Sequence, residues 1–223
     1  MTTPKAVLFD LDDTLLDSYG TRLNALQTAF INAGISSPSA EELLQNLDGS
    51  PFAPIANRIG ADHGLEYDLY AMYQQVLYPT PPGLNTLYPG IKPVLESLYA
   101  RGTKLGVITS RLRQVQIAGV FSGASQELKE TGVAGLFDVV VGYEDTTNHK
   151  PHPEPVQLAL TTLSVSAQDT IMVGDTPADI EAGRATGCRT CLVTWGTIRD
   201  AAERAHADFV AETPEELLSL LAG

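Results

Sequence analysis

The sequence has few basic residues, few cysteines and no long apolar run. It contains 14 lysines and arginines against 27 aspartates and glutamates, which gives a formal net charge of −13. Nucleic acids and anionic membrane surfaces are bound by basic surfaces, so we expect neither as a partner. No apolar run approaches the length of a membrane span, and the short polar stretch of residues 1–5 has no signal-peptide pattern. We therefore expect a cytoplasmic protein.

The only two cysteines, Cys188 and Cys191, have a Cys-x-x-Cys spacing that can indicate a metal or redox site. A structural zinc site of this type needs a second pair of ligands, and the sequence contains no further cysteine. Because both residues lie in or beside a predicted strand, we interpret them as buried thiols.

Short apolar runs that do not alternate with polar residues recur along the chain, which is typical of strands buried on both faces of a parallel sheet. The predicted strands are residues 6–9, 104–109, 138–141, 170–174, 190–194 and 208–210. Helical patterns separate them. We therefore expect an α/β fold with a Rossmann-like, doubly wound parallel sheet.

The interval between the first and second predicted strands is far longer than one crossover helix requires. It carries amphipathic patterns of its own, such as Leu23, Leu26 and Phe30, and proline and glycine cluster near its end. We interpret residues 17–88 as a small all-helical domain inserted after the first strand. Residues 1–16 and 89–223 then form the α/β core domain.

Polar residues follow four of the predicted strands, at the edge where open α/β sheets bind ligands. They are Asp10 and Asp12 after the first strand, Thr109 and Ser110 after the second, Lys150 after the third, and Asp175 and Asp179 after the fourth. Aspartates that converge at this edge would repel one another without a cation, and carboxylate oxygens favour Mg²⁺. The sequence therefore predicts a magnesium site there.

The same residues suit phosphoryl transfer, which needs a nucleophile, a proton donor and neutralisation of the phosphate charge. Asp10 is the candidate nucleophile, because carboxylates form acyl-phosphate intermediates. Asp12 is the candidate acid and base, and Lys150 supplies positive charge. Thr109 offers a hydroxyl to the phosphate oxygens.

These residues lie in four segments, FDLDDTL (9–15), ITS (108–110), KP (150–151) and GDTPAD (174–179), that resemble the four motifs of the haloacid dehalogenase-like superfamily in the same order. The resemblance covers nearly the whole chain. It implies that Asp10 is both nucleophile and metal ligand, and that Asp12 is the acid/base with its backbone carbonyl on Mg²⁺. It further implies Thr109 as a phosphate ligand, Lys150 as the neutralising lysine, Asp175 as a metal ligand, and Asp179 beside or behind the metal.

The long insertion resembles the helical cap of the phosphoglycolate phosphatase-like branch, which closes over the site. Further candidates for substrate binding are Ser110 and Arg111 beside the second motif, and Gly49, Arg22 and Arg58 in the cap. Each candidate has a structural alternative: a helix cap for Thr109, Ser110 and Asp179, a turn for Gly49, surface ion pairs for Arg22 and Arg58, and a position facing solvent for Arg111. We interpret Asp13, where relatives often carry glycine, as a turn residue, and Thr14 as a structural hydroxyl. Residues 110–136 are longer than the usual connection, and the sequence suggests no function for them.

The resemblance implies a phosphoric monoester hydrolase that acts on a small phosphorylated metabolite. Phosphoglycolate and inorganic pyrophosphate are the first candidates, because KPHPEP (150–155) resembles that subgroup. A sugar phosphomutase, whose relatives usually carry valine at the position of Thr14, and a non-catalytic binding protein are the alternatives. A dehalogenase is disfavoured, because dehalogenases lack the second aspartate, here Asp12. These motifs specify neither the physiological substrate nor an oligomeric state.

Overall fold

The structure is a computed structural model that describes residues 3–44, 52–66, 68–81, 83–117, 119–196 and 206–222. Its strands, in chain order, are β1 (Ala6–Phe9), β2 (Leu16–Asp17), β3 (Thr86–Leu87), β4 (Lys104–Ile108), β5 (Val115–Ile117), β6 (Val120–Ser122), β7 (Val139–Val141), β8 (Thr170–Gly174), β9 (Arg189–Val193) and β10 (Phe209–Ala211). Its helices are α1 (Tyr19–Asn32), α2 (Ala40–Leu44), α3 (Phe52–Asp62), α4 (Leu69–Leu77), α5 (Ile91–Ala100), α6 (Ala124–Glu130), α7 (Glu154–Leu163), α8 (Pro177–Thr186) and α9 (Pro214–Ala222). Single 3₁₀ turns lie at Ala134–Leu136, Tyr143–Asp145 and Ala167–Asp169.

A six-stranded parallel sheet forms the centre, in the order β10-β9-β8-β1-β4-β7. The six strands predicted from the sequence are these six, and their ends differ from the prediction by one residue at most. The strand order reverses between β1 and β8, which confirms the doubly wound arrangement. The crevice for a ligand is therefore expected where β1 and β8 end.

Both faces of the sheet are buried. Val7 and Phe9 of β1 pack in one apolar cluster with residues of α5, α6 and α9, whereas Leu8 packs in a second cluster with residues of α7 and α8. Successive side chains of a strand point to opposite faces, so a strand between two helical layers must be apolar throughout. This explains the uninterrupted apolar runs of the sequence.

Helices α1 to α4 form a separate apolar cluster, which includes Leu26, Phe30, Leu69 and Tyr73. The chain enters this region through β2 and leaves it through β3, and the two strands pair antiparallel. The sequence analysis did not predict this ribbon at the borders of the helical insertion. Strands of two residues carry no recognisable periodicity.

The segment that had no predicted function forms a second unexpected element. Strands β5 and β6 pair as an antiparallel hairpin, and α6 follows it. Phe121 on the hairpin is 58% exposed. The segment lies between the second strand of the sheet and β7, on the side where the helical insertion returns to the core.

Two expectations drawn from composition can be compared with the structure. Cys188 and Cys191 are free and buried, as predicted. Among the described residues, no helix is both long enough and apolar enough to cross a membrane.

Replacing Phe30 by alanine should lower the free energy of unfolding by about 3–5 kcal/mol, because its fully buried ring would leave a cavity in the helical cluster. Denaturant unfolding followed by circular dichroism measures the change. The neighbouring Ile31 is 66% exposed, and Ile31→Ala is the matched control. The control should change the free energy by no more than about 0.5 kcal/mol. Equal losses for both variants would contradict the packing of α1.

Candidate active site

Lys150 lies at the centre of the site, where the loop after β7 meets the ends of β1 and β8. Its side chain is 4% exposed, and its ammonium group donates to Asp10 Oδ1 and to Asp179 Oδ1, each at 2.6 Å. A third hydrogen bond goes to the carbonyl oxygen of Ile108 at 3.1 Å. Burial alone would lower the pKa of Lys150, but the two carboxylates outweigh burial and raise this pKa above its usual value. The lysine is therefore charged and held by three acceptors.

A cluster of carboxylates surrounds this ammonium group. Oxygens of Asp10, Asp175 and Asp179 lie within 4.8 Å of one another. Burial raises the pKa of Asp10 to about 7, while Lys150 opposes the rise and Asp179 adds to it. Burial, followed by the charges of Asp10 and Asp179, raises the pKa of Asp175 well above its usual value.

A divalent cation bound among these oxygens would reverse both shifts, because it stabilises ionised carboxylates. The donors are hard oxygen atoms, they are buried, and their negative charge exceeds the single positive charge of Lys150. Such a donor set fits Mg²⁺ better than it fits a softer metal. The described residues are thus suited to the predicted cofactor.

Asp179 reaches Lys150 because Gly174, at the end of β8, has no side chain. A Cβ atom on Gly174 would lie 2.3 Å from Cβ of Asp179. Oδ2 of Asp179 accepts hydrogen bonds from the Thr176 N–H at 3.2 Å and from the Thr176 hydroxyl at 2.6 Å, which caps the start of α8. Asp179 therefore combines the two roles that the sequence analysis set against each other: it caps a helix and also belongs to the carboxylate cluster.

Thr14 and the segment after β9 enclose Asp175. The Thr14 hydroxyl donates to Asp175 Oδ1 at 3.1 Å, and the Thr14 carbonyl accepts from the Trp195 indole at 3.0 Å. A Cβ atom on Gly196 would lie 2.5 Å from Asp175 Oδ2. The structural role predicted for Thr14 agrees with these contacts. The sequence analysis missed Trp195 and Gly196, since they lie outside the recognisable motifs.

Asp12 has different surroundings from Asp10. Its Oδ1 accepts from the Ser18 hydroxyl at 2.6 Å and from Arg111 Nη1 at 3.3 Å, and Arg22 Nε lies 3.9 Å away. Burial raises the pKa of Asp12, but Arg111, Arg22 and Ser18 together more than offset burial, so the net pKa is lowered. Its side chain is not part of the carboxylate cluster found among the described residues. The contact of its backbone carbonyl with Mg²⁺ stays a prediction.

Asp13 adopts a left-handed backbone conformation with φ 64°, which aspartate tolerates better than most residues. This conformation agrees with its interpretation as a turn residue. Its carboxylate accepts from Arg22 and from the Ser18 N–H, the latter at 3.4 Å. Arg22, a predicted substrate ligand, thus lies beside the first motif and forms ion pairs there.

Three of the four remaining candidate site residues, Thr109, Ser110 and Arg58, lie in the described part of the chain. Thr109 is buried at the end of β4, and its hydroxyl accepts from the Arg111 N–H at 3.1 Å, while Ser110 is half-buried beside it. The hairpin rather than a helix follows these two residues, so the helix-cap alternative does not apply to them. Arg58 lies on α3 with an exposed side chain, and its contact with substrate stays a prediction. Gly49 lies outside the described residues.

The chain is similar to known proteins over nearly its whole length. Residues 7–193 match the haloacid dehalogenase-like hydrolase family. The chain belongs to this family. It is 33% identical over 221 residues to pyrophosphatase PpaX of Bacillus pumilus, which covers 99% of this chain and 97% of the relative. It is 28% identical over 217 residues to a phosphoglycolate phosphatase of Aquifex aeolicus, with coverage of 97% and 96%.

A solved structure of a haloacid dehalogenase-like family protein of Streptococcus pneumoniae superposes with a TM-score of 0.80 at 26% identity, and the match covers 99% of each chain. Family membership and this superposition confirm the resemblance and the α/β fold predicted from the sequence. They also make the chain a hydrolase, which disfavours a purely structural or binding role.

Gly174→Ala should displace the Asp179 side chain, since the new methyl group would overlap it, and should thereby remove a partner of Lys150. We expect a loss of stability of about 1–3 kcal/mol from the overpacking, together with weaker binding of Mg²⁺. Thermal unfolding with and without Mg²⁺ measures both effects. Gly135→Ala is the control, because a Cβ atom there meets nothing within 4 Å. If both variants behaved like the wild type, the close approach of Asp179 to Gly174 would be wrong.

Proposed function

We propose that this hydrolase is a Mg²⁺-dependent phosphatase that cleaves a small phosphorylated metabolite through an aspartyl-phosphate on Asp10. The observation that carries the proposal is the position of Lys150, whose buried ammonium group holds Asp10 and Asp179 at 2.6 Å each. This arrangement combines a fixed carboxylate nucleophile with a positive charge beside it and with a carboxylate cluster suited to a cation. Each of these parts is one that phosphoryl transfer requires.

In the first half of the reaction, Asp10 is the nucleophile. Lys150 holds its Oδ1, so Oδ2 is the oxygen that forms the new bond to phosphorus while the bond from phosphorus to the leaving group breaks. Lys150 and the hydroxyl of Thr109 stabilise the charge on the phosphate oxygens. Mg²⁺, held by Asp10, Asp175 and the backbone carbonyl of Asp12, would supply further charge neutralisation at the phosphate. Asp179 positions Lys150.

In the second half, Asp12 is the base. It takes a proton from a water molecule whose oxygen attacks phosphorus, the acyl-phosphate bond breaks, and the Asp10 carboxylate and inorganic phosphate are released. In the first half, Asp12 gives a proton to the leaving oxygen. The surroundings of Asp12 support its role as the base, because Arg111, Arg22 and Ser18 lower its pKa and so favour the ionised carboxylate.

Pyrophosphate and phosphoglycolate are the first substrates to test. Relatives bear the names of enzymes for both compounds. Each compound carries a second anionic group beyond the phosphate that is transferred. Arg22 supports such a substrate, since it projects from α1 to the first motif and its side chain is still 26% exposed.

Chelation of the metal should abolish phosphate release, and added Mg²⁺ should restore it. Mg²⁺ should also raise the melting temperature of the wild type, because a cation relieves the repulsion within the carboxylate cluster. Asp175→Asn should lose both responses, whereas Asp169→Asn, at an exposed ion pair with Lys5, should keep them. Full activity in metal-free buffer would rule out this mechanism.

The deciding experiment measures phosphate release from pyrophosphate, phosphoglycolate and a panel of other small phosphate esters in the presence of Mg²⁺. Asp10→Asn serves as the blank, and its rate should be lower by about a thousandfold or more, since the nucleophile is lost. Conversion of a sugar phosphate to its isomer without free phosphate would identify a mutase instead. Ligand-induced thermal stabilisation without any turnover would identify a binding protein.

A further inference from the structure

Glu127 lies outside every recognised motif, on α6 in the segment to which the sequence analysis assigned no function. Its Oε1 accepts a hydrogen bond from Arg111 Nη2 at 2.6 Å. The Glu127 side chain is 14% exposed and the Arg111 side chain is 7% exposed. If one partner of such a buried ion pair moved away, the other charge would be left buried and unpaired, which is strongly destabilising. The pair therefore fixes the two side chains relative to each other.

Arg111 connects this pair to the first motif. Its other terminal nitrogen, Nη1, donates to Asp12 Oδ1 at 3.3 Å, and its guanidinium carbon lies 5.9 Å from the ring centre of Tyr78. Both terminal nitrogens of Arg111 therefore already bind carboxylates. The sequence analysis predicted Arg111 as a substrate ligand, but this geometry suits an arginine that holds another side chain in place.

Glu127 also contacts the segment between α4 and β3, through which the chain returns from the helical insertion to the core. Asn85 Nδ2 donates to Glu127 Oε1 at 3.1 Å. A nearby contact joins the same two segments: the Leu112 N–H donates to the Tyr78 hydroxyl at 3.1 Å. The segment 110–136 is thus fastened to the returning linker between α4 and β3.

We propose that Glu127 is a positioning residue for the acid/base group. Glu127 fixes Arg111, and Arg111 in turn holds the Asp12 carboxylate in place. Because Glu127 also binds Asn85, the position of Asp12 depends on the position of the linker that returns from the helical insertion. The proposal rests on the proposed function, in which Asp12 transfers protons. It assigns a role to the segment 110–136 and replaces substrate binding by positioning as the role of Arg111.

The contacts of Glu127 predict which kinetic parameters should change when its side chain is altered. In the described part of the chain, Asp10, Lys150 and the carboxylate cluster make no contact with Glu127, so binding of phosphate and of Mg²⁺ should not depend on it. Proton transfer by Asp12 should depend on it, because general acid–base catalysis requires the carboxylate within hydrogen-bond reach of the reacting oxygen. A misplaced Asp12 should slow the departure of poor leaving groups more than that of good ones.

The kinetic test compares Glu127→Gln with Glu130→Gln, a matched control on the same helix whose carboxylate contacts Gly83 and Gln126 instead of Arg111. For Glu127→Gln, kcat should fall about tenfold to a hundredfold with KM and Mg²⁺ affinity unchanged, since displacement of a catalytic group slows chemistry on this scale. The fall should be larger for alkyl than for aryl phosphates. Glu130→Gln should match the wild type, and Asn85→Ala should change kcat in the same direction as Glu127→Gln, but less.

Several outcomes would overturn the proposal. Equal kinetics for Glu127→Gln and Glu130→Gln would show that Glu127 has no positioning role. A rise in KM with unchanged kcat would make Arg111 a substrate ligand. A uniform loss of rate across leaving groups, accompanied by a lower melting temperature, would indicate a merely structural role for Glu127. Glu127→Asp, which keeps the charge but shortens the side chain, provides a second variant if Glu127→Gln folds poorly.

A measurement that needs no turnover separates this proposal from the proposed function. Amide hydrogen exchange of residues 12–18 should be faster in Glu127→Gln than in the wild type and unchanged in Glu130→Gln. If the wild type hydrolysed no phosphate compound but this difference in exchange were present, the proposed function would fail and the positioning contact would stand. Unchanged exchange in both variants would contradict the positioning contact.

Discussion

The rest of the site depends on one buried charge, the ammonium group of Lys150. A lysine that is 4% exposed must be paired, and the pairing brings together Asp10 after β1, Asp179 in α8 and the carbonyl of Ile108 in β4. These elements are neighbours only because the doubly wound strand order places β8 and β4 on either side of β1. The same three contacts therefore stabilise the buried charge of Lys150 and fix the position of Asp10, the proposed nucleophile. Gly174 is part of the solution, since any side chain there would exclude Asp179 from its position.

The charges of the site divide into two groups with separate counter-ions. On the core side, Lys150 pairs with Asp10 and Asp179, an oxygen of Asp175 lies within 4.8 Å of theirs, and the excess negative charge there suits a divalent cation. On the side of the helical insertion, Asp12 and Asp13 are paired with Arg22 and Arg111. This division explains why two aspartates that are two residues apart are not interchangeable. Burial raises the pKa of Asp10, whereas the arginines lower the pKa of Asp12. The lowered pKa favours an ionised Asp12, as its proposed role as a base requires, and a cation bound in the carboxylate cluster would lower the pKa of Asp10.

The sequence predicted the parts of this arrangement that leave a local signature. Apolar runs identify strands buried on both faces, and polar residues directly after them identify the ligand-binding edge, so the sequence alone was enough to place Asp10, Lys150 and Asp175 together. The two-residue strands β2 and β3 have no such signature, and their pairing joins residues far apart in the chain. The hairpin of β5 and β6 lacked a strong turn signal. Glu127 could not be found, because a glutamate on a short helix acquires its role only from Arg111 and Asn85, which the fold brings to it.

Asp10 and Asp12 also differ in what holds them. Among the described residues, Asp10 is held by groups of the core, namely Lys150 and the sheet hydrogen bond to Val173. Asp12 is held by Ser18 at the start of α1 and by Arg111, whose partner Glu127 binds the returning linker at Asn85. A movement of the helical insertion would therefore disturb Asp12 while leaving Asp10 in place. In the proposed mechanism Asp12 transfers the protons, so the proposed proton-transfer group is the one whose position depends on the helical insertion.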